Sequence, residues 1–349
     1  MAALLLVAEK LPAAQLFFDE DLVLDPTGTE AEFGRINDVA VAPDGTIYVA
    51  DNGFGLIHAF DEQGEHLRSF GTVGEGPGDL PPQLMSISVD GEGNLIVAGN
   101  RSSVGWLTPT GDLLRSLERG TSSFPQTVDA LPDGGLVMTW TTGDWALDDF
   151  EPLLAHIIHG SAQDMIDFGR SSWWNSDYES AYAPSMLAAQ TAPSADGHSI
   201  VFLQCNPYEL RLYDLKGRPL QRTRDGDDGF VPEPQLPQIS GNTILFRSSG
   251  QAGPLVVAPD GRIYVYASRI HPDDVDVDVD RAAHPEFEPR WQERMYAYEP
   301  DLTLLTVEEG SDVPRPLTFD PQGRLWCRGD TELPTLVRYR LRWEDDRAN

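Results

Sequence analysis

Few side chains in this sequence stand at spacings that chemistry uses, and each set also has a plainer reading. His156 and His159 in AHIIHG are three residues apart. Along an extended strand that spacing points them to opposite faces, so they do not form a metal pair. The run DDVDVDVD at 273–280, flanked by His271 and His284, would place Asp274, Asp276, Asp278 and Asp280 on one face if extended. Such a ladder of carboxylates suits Ca²⁺, although a run of charge is more often a solvated loop or a guarded sheet edge. DGDDG at 225–229 opens like a calcium loop, but its twelfth position is Leu236 where the loop requires glutamate. GEGPG at 74–78 is not followed by the GK[ST] of a phosphate loop. No GxSxG, HExxH or dinucleotide fingerprint occurs, and Cys205 and Cys327 lie outside any CxxC or Cys/His cluster. Catalysis is not written in a motif.

Composition narrows the partners. The 349 residues carry 25 Lys+Arg against 56 Asp+Glu, a net charge of −31, with 40% hydrophobic residues. A field of that sign repels phosphate backbones and anionic lipid, which argues against nucleic acid and membrane surfaces as partners. The stretch AALLLVA at 2–8 is far shorter than a membrane span and lacks a basic flank. It reads either as a signal-peptide remnant or as a frayed end. On the first reading the protein is exported, to the periplasm or outside the cell.

What must position any site is a repeat. One phrase recurs as VAPDGTIYVAD (41–51), VDGEGNLIVAG (89–99), ALPDGGLVMTW (130–140), PSADGHSIVFL (193–203), VAPDGRIYVYA (257–267) and FDPQGRLWCRG (319–329). Its turn glycines are Gly45, Gly93, Gly134, Gly197, Gly261 and Gly323. Each copy is two β-rich runs around a tight turn, the strongest local hairpin signal, and a second hairpin follows most of them. Four antiparallel strands per repeat are the anatomy of a propeller blade, so an all-β, six-bladed propeller is expected. The sixth repeat runs short of a strand after PTLVRYRLRW (334–343), and LVLDPTG (22–28) is a spare that would complete the last blade and close the ring. The expected organisation is an N-terminal segment at 1–16, one propeller at 17–343 and an acidic tail at 344–349.

VAPDGTIYVAD, followed by FDEQGEHLRSFG and GEGPGDL, resembles the six-bladed propellers of the NHL-repeat type across nearly the whole chain. The resemblance implies a binding scaffold, often exported. Related six-bladed propellers include calcium-dependent lactonases and esterases and a peptide-amidating lyase.

In such a ring the long connections, 141–152, 171–188, 226–253 and 269–293, all emerge on one face. They carry large aromatics including Trp173 and Trp174, which suits a lid over a binding face. Beneath it the channel mouth is lined by residues leading into each first strand: Asn37/Asp38, Met85/Ser86, Gln126/Thr127, Ala189/Gln190, Gly253/Pro254 and Arg315/Pro316. Residues leaving the second strands join them, among them Asp51, Trp140, Gln204, Arg269 and Arg328. Arg269, Arg315 and Arg328 suit a carboxylate or sugar hydroxyl, or else pair with Asp38, Asp51 and Asp330 and plug the channel. Asn37 and Asp38 stand where the calcium-dependent relatives hold their metal, with Ca²⁺ as the implied cofactor. The other blades, however, offer few further oxygen ligands.

The leading expectation is a monomeric module binding a small polar molecule, a glycan or a protein at this mouth. The alternative is a hydrolase or lyase in the same lidded pocket, metal-bound at Asn37/Asp38 or using Asp38 as a general base. A third reading is a structural ring in a larger assembly.

Overall fold

The repeated turn closes because glycine reaches backbone angles that other residues avoid. Gly45 sits at φ +90° and donates its N–H to Ala42 O at 2.9 Å, while Ala42 donates to Thr46 O at 2.8 Å. Asp44 adds its carboxylate to Thr46 N at 2.9 Å, so the PDGT phrase folds on local contacts alone.

In the computed structural model the described residues are 14–72, 74, 79–81, 83–99, 103–118, 125–140, 153–159, 164–170, 189–225, 229–232, 238–240, 243–245, 250–275, 289–329, 331 and 333–344. Strand β1 (Gln15–Leu24) precedes the first blade: β2 (Ile36–Val41), β3 (Ile47–Asp51), β4 (Leu56–Phe60) and β5 (His66–Phe70). The second holds β6 (Leu84–Val89), β7 (Leu95–Gly99), β8 (Ser103–Leu107) and β9 (Leu113–Glu118). The third holds β10 (Pro125–Ala130), β11 (Leu136–Trp140), β12 (Leu153–Ile158) and β13 (Met165–Arg170). The fourth holds β14 (Ala189–Pro193), β15 (Ser199–Gln204), β16 (Glu209–Asp214) and β17 (Pro219–Thr223).

A separate hairpin, β18 (Gln238–Ser240) with β19 (Thr243–Leu245), lies in the connection to the fifth blade. That blade holds β20 (Gly250–Val257), β21 (Ile263–Ile270), β22 (Trp291–Tyr298) and β23 (Leu304–Glu309), with a one-turn helix α1 (Pro272–Val275) after β21. The sixth is β24 (Arg315–Phe319), β25 (Leu325–Arg328), β26 (Leu336–Glu344) and β1, in the order β1-β26-β25-β24. Among the described residues no helix is long and apolar enough to cross a membrane.

Each blade is apolar on both faces because it is packed on both sides. Along β7, Leu95 and Val97 join the cluster shared with the first blade, while Ile96 and Ala98 join the cluster shared with the third. Side chains alternate with period two along a strand, so a run such as LIVAG serves two interfaces at once. The described residues form one such cluster at every junction of neighbouring blades.

The closing strand is longer and earlier than the 22–28 spare: Gln15 pairs with Glu344 and Leu24 with Leu336. Its Leu16 enters the core between the fifth and sixth blades, and Leu24 the core between the sixth and first. The segment 269–293 is also shorter as a loop than its sequence implies, since Arg269 pairs with Gln292 and Ile270 with Trp291 in extended strands.

A chain beginning at residue 25 should melt about 10 °C or more below the full chain and aggregate, because β26 becomes an open edge and two core leucines are lost. Thermal melts with size-exclusion chromatography test this; an unchanged, monomeric melt would show that closure is dispensable.

Candidate functional site

The inner strands of five blades slip register at their upper ends, between Ile36/Asp38, Leu84/Ser86, Pro125/Thr127, Ala252/Leu255 and Pro316/Thr318. A bulge leaves a residue unpaired and re-aims its neighbours. Here it lets consecutive residues such as Asn37/Asp38 and Met85/Ser86 both line the axial cavity of about 370 Å³. The cavity also takes in Arg35, Thr127, Asp129, Gln190, Arg315 and Arg328.

Charge is layered along this channel. At its mouth stand Arg35, Arg315 and Arg328, and among the described residues no carboxylate lies within ion-pair distance of any of them. Arg328 donates one Nη2–H to Ile36 O at 2.6 Å, and its buried Nε has no hydrogen-bond partner among the described residues. Burial, then the Arg315 and Arg35 guanidiniums, pull its pKa down, and Asp38 partly offsets them.

Asp38 lies below. Its Oδ2 accepts Ser86 Oγ–H at 2.7 Å and Ile87 N–H at 2.9 Å, and its Oδ1 accepts Val39 N–H at 2.9 Å. Val128 N–H in turn donates to Ser86 Oγ at 3.2 Å, so this carboxylate stitches three blades together. Burial pushes its carboxyl up to about 6, held there against the opposing pull of those donors and Arg328.

Asp129 lies one ring deeper on β10, and no hydrogen bond reaches its carboxyl among the described residues. Burial and then the Asp38 charge push it up to about 8. Both groups are half-buried and line the lumen; Asp38, with three donors and Arg328 near it, is the readier of the two to hold the charge, and Asp129 the readier to hold the proton.

Sequence reasoning did not find Asp129 or Arg35. A signal for the first exists: five residues before the turn glycine the other copies hold Ala40, Ser88, Ala192, Val256 and Thr318, and only this one holds an acid.

Of the residues singled out from sequence, Asn37, Asp38, Gln190, Arg315 and Arg328 line the cavity. Gln190 spends its Oε1 on Leu255 N–H at 2.7 Å. The others are elsewhere. Asp51 is wholly buried, its carboxylate filled by backbone N–H groups. Gln204 is wholly buried too, donating to Pro207 O at 3.0 Å and accepting from Arg211 at 3.2 Å. Arg269 extends along β21, donating to Gln292 Oε1 at 2.8 Å and lying over the Phe230 ring at 4.5 Å. Gln126 and Trp140 occupy β10 and β11, but their side chains, like Trp173, Trp174 and Asp330, lie outside the described residues.

The donors at Asn37/Asp38 do not fit Ca²⁺, which wants six to eight oxygens. Asn37 Nδ2 donates to Leu84 O at 2.7 Å, Asp38 already accepts three hydrogen bonds, and three guanidiniums stand above. Among the described residues no group of three or more His, Cys, Asp or Glu is placed to hold a metal. Both cysteines are buried; burial raises the Cys205 thiol to about 12 and the Cys327 thiol well above its usual value, which leaves them inert.

No family model matches the chain, and no curated protein matches it in sequence. Solved structures do match in fold. A duf4221-family member from Bacteroides vulgatus aligns over 95% of this chain and 99% of its own, at TM-score 0.59 and 10% identity. Kuenenia stuttgartiensis hydrazine synthase aligns over 86% and 76%, at 0.52 and 13%. A catalytically inactive virginiamycin B lyase from Staphylococcus aureus, with quinupristin, aligns over 89% and 82%, at 0.50 and 11%. At these identities the likeness shows the six-bladed fold and no more.

The pair of acids gives a signed pH dependence. A carboxyl whose folded pKa is raised stabilises the fold fully below its unfolded value near 4, and that contribution is lost as pH rises through the folded value of about 8. Melting should therefore fall across this window, and Asp129→Asn should flatten the profile and raise Tm at pH 8 by about 5 °C. Parallel melts of both proteins from pH 4 to 8 decide it; identical slopes would remove Asp129 as the titrating group.

Proposed function

We propose that the protein is a binding module that takes a small anion, a carboxylate above all, at the arginine-lined mouth of its channel. The observation that carries this reading is the set of three mouth arginines that have no carboxylate within ion-pair distance among the described residues, in a chain whose net charge is −31. Gathering like charges in a partly buried site costs free energy unless an anion offsets it, and a guanidinium fork matches a carboxylate in two hydrogen bonds. The buried Nε of Arg328, which has no hydrogen-bond partner among the described residues, is a further donor that an anion would satisfy. A cavity of about 370 Å³ is on the scale of a small-molecule site.

The repeat phrase supports placing the chain among NHL-repeat-type propellers, and with it an exported, monomeric protein whose acidic surface disfavours nucleic acid and membrane. A glycan or protein would reach this mouth through an acidic group.

One observation favours a second reading, a hydrolase or lyase. Asp38 and Asp129 are neighbouring acids with pKa values raised to about 6 and about 8. Such a pair supplies a base and an acid to the same small volume near neutral pH, with arginines above to stabilise a developing anion.

Thermal shift against a panel of small carboxylates tests the first reading: Arg315→Glu should weaken any binder found by about tenfold or more. Unchanged affinity would remove Arg315 from the site. For the second, a panel of esters, lactones and cyclic depsipeptides should show turnover that Asp38→Asn lowers by about a hundredfold; no turnover by the wild type retires it.

A further inference from the structure

The buried carboxylate of Asp51 organises the rim beside the channel. Its Oδ2 accepts Gly34 N–H at 2.7 Å, and its Oδ1 accepts Arg35 N–H at 2.9 Å, Gly53 N–H at 2.7 Å and Phe54 N–H at 3.2 Å. Two separate pieces of chain, the approach to β2 and the β3–β4 turn, are tied by one side chain. Asn52 N–H adds a bond to Arg35 O at 2.8 Å.

The two pieces touch because both carry glycine. A Cβ on Gly53 would stand 2.5 Å from the Gly34 carbonyl carbon and 2.6 Å from Arg35 N, while one on Gly34 would stand 3.1 Å from the Phe54 ring. Burial pushes the Asp51 carboxyl up, but His58 and the N–H donors outweigh it and hold the group well below the usual carboxylate range. The knot therefore stays charged and intact through neutral pH.

Its product is a pair of neighbours with opposite tastes. Arg35 faces the channel mouth, and the Phe54 ring, lying against Gly34, is 57% exposed. Leu333, also exposed, belongs to the corresponding second-to-third-strand connection of the sixth blade, and the exposed Trp291 opens the third strand of the fifth. The adjoining sixth and first blades thus offer exposed apolar side chains on the connections of the face where their first strands begin, and a single isolated aromatic would signify little without them.

We infer that the mouth takes an amphipathic monoanion: a small carboxylate bearing a flat apolar group, the carboxylate among Arg35, Arg315 and Arg328 and the apolar group across Phe54. This rests on the anion-binding reading above and narrows it. The acids below dictate the direction. A second anionic group reaching inward would meet Asp38, so the rest of the ligand lies outward, over the rim. An aromatic face adds dispersion and edge-to-face contact to the charge-assisted bonds of the guanidiniums.

NMR titration of the full chain with acetate and with phenylacetate tests it. Phenylacetate should bind about tenfold more tightly than acetate. Phe54→Ala should bring phenylacetate to the acetate level without altering acetate, and Phe54→Trp should keep the preference. Equal affinity of the wild type for the two probes, or a preference that survives Phe54→Ala, overturns the inference while leaving the anion site standing. Failure of both probes to bind overturns both.

Discussion

Closure of the ring is the constraint on which everything else depends. Every blade is apolar on both faces, so none can bury its surface except between two neighbours, and the last must meet the first. The chain achieves this by lending β1 to the sixth blade over the full register from Gln15–Glu344 to Leu24–Leu336. Side chains reinforce the seam: Arg338 pairs with Asp21 at 2.8 Å and donates to Glu62 O at 2.9 Å, and Arg324 reaches Glu62 at 2.9 Å. The pairing joins residues more than 300 apart in sequence, and the entropy of bringing them together is recovered only when the whole circle is complete.

A closed circle of six sheets leaves an axis that side chains do not fill. Six inner strands converge on it, and the bulges near the upper ends of five of them turn polar residues inward. Because the walls are low-dielectric protein, charges there are felt strongly. The layering of three guanidiniums over two carboxyls of unequal acidity is the consequence: Asp38 is held by three donors and has Arg328 near it, while among the described residues Asp129 has neither a hydrogen-bond donor nor an ion-pair partner. The chain's overall acidity makes the mouth the exception.

The same residue types do opposite work according to where closure puts them. Asp51 is acidic like Asp38 but is saturated by backbone donors and binds loops together. Arg211 is a guanidinium like Arg315, yet it is buried against Glu209 at 2.6 Å and belongs to the framework. Arg269 and Arg294 lie over Phe230 at 4.5 and 4.1 Å, covering a ring that joins the core between the fourth and fifth blades.

The sequence by itself determined the number of blades, the hairpins within them and the side of the ring on which the first strands begin. These follow from turn glycines and period-two apolar runs, which act over a few residues and can be read in order. It also marked Asn37, Asp38, Gln190, Arg315 and Arg328 as residues near the axis, because their distance from a turn glycine is fixed along the strand. Only the tertiary structure decided that Asp51 and Gln204 turn away into buried networks, that Arg35 joins the mouth, and that Asp129 sits within the field of Asp38. Those outcomes depend on bulges, on contacts between blades and on distances through space, none of which the order of residues along one strand contains.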